Sequence, residues 1–161
     1  MESYLRLIAL SLGFAVALAI GTWAFSEGGT RFQLVTIGNE IFTLEVASTP
    51  EKKARGLRAR SSLADNGGML VQLDNPADLS YSTRYTDFPI DVLYFNADGV
   101  VLAVDQVAAN ERSLTASTSP GPVSGAILLL GGTTKRMALR PGYHINFGRA
   151  PQRRANRDGS P

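Results

Sequence analysis

The chain has no cysteine and only one histidine, His144, in 161 residues. Without cysteine there are no disulfides, thiolate nucleophiles, zinc ribbons or iron–sulfur clusters. A lone histidine cannot build a histidine-rich metal centre. Chemistry falls to carboxylates, hydroxyls, amides and cations, and the residues call for no metal and no cofactor. Charge is sparse as well, at 19% of residues and a formal net +2. Internal repeats and heptad runs are lacking. What remains, 44% hydrophobic, fits one compact domain with additions at its ends.

The charges that are present are unevenly placed. Residues 50–60 carry Lys52, Lys53, Arg55, Arg58 and Arg60 against Glu51, a net +4. Residues 74–111 carry seven acids against Arg84, a net −6. The tail, residues 149–161, carries four arginines against Asp158. A basic stretch that faces an acidic one within the same fold accounts for the pI of about 9.1 without a nucleic-acid partner, and none is assigned.

Residues 7–25 are 19 positions without a charge, about 28 Å as a helix, enough to cross a hydrocarbon core. Arg6 precedes the run, and Trp23 stands where an interfacial aromatic would anchor. Two outcomes fit: cleavage as a signal peptide after Ala24-Phe25-Ser26, or retention of residues 5–25 as a membrane anchor. Both send the rest of the chain to the periplasm or the extracytoplasmic face of the inner membrane. Residues 1–29 are thus a signal or anchor, 30–148 the folded domain, and 149–161 a disordered basic tail.

The domain reads as mainly β. Residues 30–46 predict a hairpin turned at Gly38-Asn39, with Phe32 and Leu34 sharing an apolar face with Phe42 and Leu44. Thr49-Pro50-Glu51 starts a short helix that Gly56 can end. Residues 61–66 suggest another helical turn. The central stretch, residues 67–107, holds two apolar runs that meet at Asp98-Gly99, a hairpin-turn pair. Ala126 to Leu130 is wholly apolar and reads as a strand buried on both faces. Gly131-Gly132-Thr133 opens a short helix with Met137 and Leu139 toward the core, and residues 143–147 alternate as a final strand. Many short strands with two or three short helices predict a β-sandwich or barrel, with the hydrophobic helix at the amino terminus added to it.

The order of these features resembles the family catalogued as domain of unknown function 192. The resemblance is carried by Phe42-Thr43-Leu44-Glu45-Val46-Ala47, Gly56-Leu57, Arg60, Leu63, Gly68-Met69-Leu70, Thr86, Pro89-Ile90-Asp91, Gly99 and Arg140-Pro141-Gly142. It implies a β-rich double sheet of jelly-roll character with short helices, often exported and without an established activity. This chain departs from the family pattern at Lys53, usually arginine, and at Arg58, usually methionine. It departs again at Ser82-Thr83-Arg84-Tyr85-Thr86, where an aromatic-Met-Lys-Asn-Thr block is usual, and at Leu128-Leu129-Leu130, where Leu-Glu-Leu is usual.

Arg60, Arg84, Thr86 and Asp91 are the candidate ligand-binding residues: two planar cationic forks, a hydroxyl and a carboxylate to orient them, suited to a small polar or anionic ligand. An Arg60–Asp91 ion pair would give the same residues a structural role. The expected function is that of an exported or membrane-anchored domain that binds a small ligand or serves an envelope complex without catalysis. The alternative is a hydrolase using Asp87 and Asp91, whose Cα atoms would lie about 13 Å apart in an extended chain, far for an acid–base pair. Gly131-Gly132-Thr133-Thr134 could hold an anion at free amides, though no Gly-Lys-Ser/Thr signature follows.

Overall fold

The computed structural model describes residues 29–58, 60–113 and 117–148. The expected hydrophobic helix within residues 5–25 and the disordered tail at 149–161 lie outside the described residues. Between these ends the chain is mainly β: eight strands and two short helices among the described residues.

Local sequence explains most boundaries. β1 (Arg31–Ile37) and β2 (Glu40–Ala47) form an antiparallel hairpin whose turn uses Gly38 at φ 64°. α1 (Pro50–Arg55) is capped by the Thr49 hydroxyl, which accepts a hydrogen bond from the Lys52 amide at 3.2 Å. Gly56, at φ 56°, ends it and donates its amide to the Lys52 carbonyl at 2.9 Å. Then follow β3 (Gly67–Ala77), β4 (Ser80–Tyr81), β5 (Ile90–Phe95), β6 (Val101–Val107), β7 (Ser117–Thr118), β8 (Val123–Leu130) and α2 (Thr133–Arg136).

Six strands make one mixed sheet in the order β1-β2-β3-β8-β5-β6, while β4 and β7 pair separately. β2 and β3 run parallel with α1 in the connection between them, and the remaining pairs are antiparallel. The expected jelly-roll sandwich or barrel gives way to a two-stranded sheet and this six-stranded one. Its two edges are tied by isolated bridges, Thr36 to Asn146 and Val100 to His144, and do not close into a barrel. Residues 143–147 fail to form the expected strand because their alternate backbone groups serve different edges. Tyr143 accepts from Val101 and Ile145 donates to Gly99, whereas Asn146 exchanges both bonds with Thr36.

Each face of the sheet buries its own core. Leu70, Leu93, Phe95, Ile127 and Leu129 point one way, packed under Val35, Ile37, Phe42 and Leu44 and the return segment with Leu139 and Ile145. Met69, Val71, Val92, Tyr94, Ala126 and Leu128 point the other way, against Leu57, Phe88 and Val123. β5 and β8 are apolar along their length because both sides are covered. Each large side chain so buried contributes about 1.5–3 kcal/mol.

Two further expectations are corrected. Val35 and Ile37, not Phe32 and Leu34, form the buried side of β1; Phe32 and Leu34 are each 64% exposed. The polar Gln33 is accommodated on the inner side because its amide donates to the Phe147 carbonyl at 2.9 Å. Residues 61–66 form no helix; the Gly67 amide instead closes a turn onto the Ala64 carbonyl at 2.9 Å.

Candidate functional site

The structure does not bring Arg60, Arg84, Thr86 and Asp91 together. Arg60 pairs with Glu45 of β2, not with Asp91. Glu45 shares its side of the sheet with Ala47 and Met69, whereas Asp91 lies between Ile90 and Val92 and so projects to the opposite side, that of Leu93. Arg84 is exposed, its guanidinium 5.3 Å from the centre of the Tyr85 ring. Thr86 is buried; its backbone bonds to Thr83 and Asn110, and its hydroxyl has no partner among the described residues.

Asp91 has a complete set of partners. Only 1% exposed, its carboxylate accepts from the Gly132 amide at 3.1 Å, the Thr134 amide at 2.7 Å and the Thr134 hydroxyl at 2.7 Å. Gly131 donates to the Pro89 carbonyl at 2.8 Å. The amides considered for an external anion at Gly131-Gly132-Thr133-Thr134 are therefore largely taken by the protein itself. Asp87 is exposed and accepts from the Asn110 side chain at 3.2 Å.

Asp91 itself lines, with Gln106, Gly132 and Lys135, an open hollow of about 340 Å³, and two smaller cavities lie beside α1. A cavity of about 250 Å³ has an apolar floor that includes Val71, Leu79, Ala126 and Leu128, with Lys53 and Arg58 among its cationic lining. A neighbouring cavity of about 220 Å³ is lined by Glu45, Lys52, Arg55, Arg58, Arg60 and Met69. Arg58 lines both. Tyr81, in the wall of the first, accepts the Leu57 amide at 3.0 Å, and burial pushes its phenol pKa above the ordinary value.

Lys53 and Arg58 stood out in the sequence only as basic residues that depart from the family pattern, not as site residues, and Tyr81 did not stand out. The signal was the basic run at 50–60, read there as balanced by the acids at 74–111. Among the described residues no ion pair joins the two stretches; within that run, Arg60 alone has a carboxylate partner, Glu45. Lys52, Lys53, Arg55 and Arg58 have no carboxylate partner among the described residues.

A second buried polar chain lies on the α1 side of the sheet. The Tyr94 hydroxyl and Ser117 Oγ are 2.7 Å apart, and Ser117 Oγ donates to Asp105 Oδ2 at 2.7 Å, so Tyr94 donates to Ser117. Burial, with the Asp105 charge behind it, raises the Tyr94 phenol pKa.

The family model that matches residues 33–147 is that of DUF192, described as an uncharacterised ACR. The chain belongs to the DUF192 family. The match spans β1 through the return segment, and with it both cores and both cavities beside α1. No curated protein matches. Among solved structures, a proposed transcription regulator from Sinorhizobium meliloti 1021 superposes with a TM-score of 0.68 at 23% identity, over 75% of this chain and 97% of that one. A protein of unknown function from Novosphingobium aromaticivorans DSM 12444 gives 0.61 at 26% identity, over 75% and 89%. The likeness shows a shared fold and leaves activity open.

Proposed function

We propose that this DUF192 protein is an exported or membrane-anchored, non-catalytic domain that binds a small amphipathic anion in the cavity beside α1. The observation that carries the reading is the joining of an apolar floor, Val71, Leu79 and Leu128, to Lys53 and Arg58, cations without carboxylate partners among the described residues. An apolar hollow takes up a hydrocarbon body, while the fork of Arg58 and the ammonium of Lys53 hold a carboxylate or phosphate head. Export rests on the uncharged run at residues 7–25. The hydrolase alternative gains no support, since Asp91 is committed to Gly132 and Thr134.

The test is calorimetric titration with decanoate. Saturable binding that weakens about tenfold in Arg58→Gln and in Lys53→Gln, both with unchanged urea midpoints, supports the reading. Absence of saturation, or variants that bind as the parent does, overturns it. Export is read separately, by protease access to the intact domain in spheroplasts.

A further inference from the structure

The first hairpin leaves an apolar face uncovered. Phe32 and Leu34 are each 64% exposed and Ile41 is 59% exposed. Opposed residues of an antiparallel ladder share a side, and the register pairs Phe32 with Glu45, Leu34 with Thr43 and Thr36 with Ile41. The three apolar side chains therefore make one patch with two threonines, on the same side as Glu45. That is the side on which Arg60 pairs with Glu45 and on which Lys52, Arg55 and Arg58 line the second cavity. An apolar strip thus adjoins four cations, of which three lack a carboxylate partner among the described residues.

We propose that this side of the hairpin, with the cations beside it, docks on the surface of an anionic lipid bilayer. Apolar side chains at an interface seat among the acyl-chain boundary while neighbouring Lys and Arg attract acidic headgroups. Phe32, Leu34 and Ile41 supply the first element and Lys52, Arg55 and Arg58 the second. The uncharged run ends at Phe25, and only residues 26–30 separate it from β1, a stretch of about 20 Å at most even when extended. A chain held in a membrane by that run keeps Phe32 near the headgroups. A second copy is the poorer occupant: a two-fold contact through this patch would set one cation cluster against the other. The proposal does not depend on the cavity beside α1 taking a ligand.

The chain contains no cysteine, so one introduced thiol reports one position. The full chain is prepared as Leu34→Cys, as Thr43→Cys on the same side, and as Leu102→Cys on β6 at the far edge, each labelled with an environment-sensitive dye. Each is reconstituted in phosphatidylglycerol-rich vesicles and in phosphatidylcholine vesicles. Positions 34 and 43 are expected to be quenched by lipid-borne spin labels severalfold more than position 102, and more strongly in the acidic vesicles. Arg55→Gln is expected to lower the bound fraction's equilibrium constant roughly fivefold, the loss of one cation near an acidic surface. If Leu34→Cys unfolds, Thr43→Cys carries the test. Equal quenching of positions 34, 43 and 102 by aqueous iodide overturns the proposal. So does shielding that grows with protein concentration and shows no lipid quenching, the sign of self-association. Emission from Trp23, the single tryptophan, reports separately on the amino-terminal run. If Trp23 reads as aqueous while position 34 is lipid-quenched, the anchor fails and the docking stands.

Discussion

The phenol of Tyr81 lies directly over Gly56, and its hydroxyl accepts the amide of Leu57 at 3.0 Å. A Cβ built on Gly56 would come within 2.7 Å of the Tyr81 ring and hydroxyl. One contact thus fixes the end of α1, the start of the basic loop after it and one wall of the cavity.

Gly56→Ala is expected to lower stability by about 2–3 kcal/mol, because the position combines φ 56° with a ring at contact distance. Tyr81→Phe removes only the acceptor for the Leu57 amide and should cost about 1–2 kcal/mol. Urea midpoints check both, and decanoate titration of the two proteins reads how far the cavity wall depends on the contact.

The hairpin register predicts opposite outcomes for two neighbouring phenylalanines. Phe42→Ala, at a fully buried site, should cost about 3–5 kcal/mol. Phe32→Ala, 64% exposed, should change stability by less than about 0.5 kcal/mol. Equal losses would mean that the strand faces have been assigned the wrong way round.

Asp91→Ala leaves two buried or half-buried amides and the Thr134 hydroxyl without their acceptor. A loss of about 3 kcal/mol or more is expected, of the size seen when hydrogen bonds to a charged group are broken in an interior. Decanoate affinity should be preserved in whatever fraction folds, because Asp91 lies across the sheet from the cavity beside α1. Hydrogen exchange at Gly132 and Thr134 should quicken before other sites.

Tyr81 and Tyr94 both have phenol pKa values raised by burial. A raised folded-state value means that the neutral phenol is favoured by the fold, so this contribution is complete below the ordinary tyrosine value near 10. It is lost as pH climbs from there through the raised value. Stability should thus fall above about pH 10, and Tyr94→Phe should flatten part of that slope; equilibrium unfolding across the alkaline range measures it.

Much of the fold was legible in short stretches. The turns at Gly38 and Gly99, the Thr49-Pro50 helix start, the Gly56 stop and the doubly buried run before Gly131 all carry their structure in local chemistry. The inner side of β1 did not, because Gln33 interrupts the apolar alternation and is satisfied only by Phe147, far along the chain. The same limit hid the site. Arg60 and Asp91 each looked like the other's partner, yet Glu45 takes one and Gly132 with Thr134 takes the other. Nothing in a basic run shows which of its charges will be neutralised. The parallel pairing of β2 with β3 is likewise a long-range choice with no local signature.

The return segment joins the oldest and youngest parts of the chain: Thr36, near the beginning of the domain, is fastened by Asn146, close to its end. A polypeptide still being synthesised can therefore pair its first strand with β2 at once, but the second tie, at Thr36, waits until the last residues of the domain emerge.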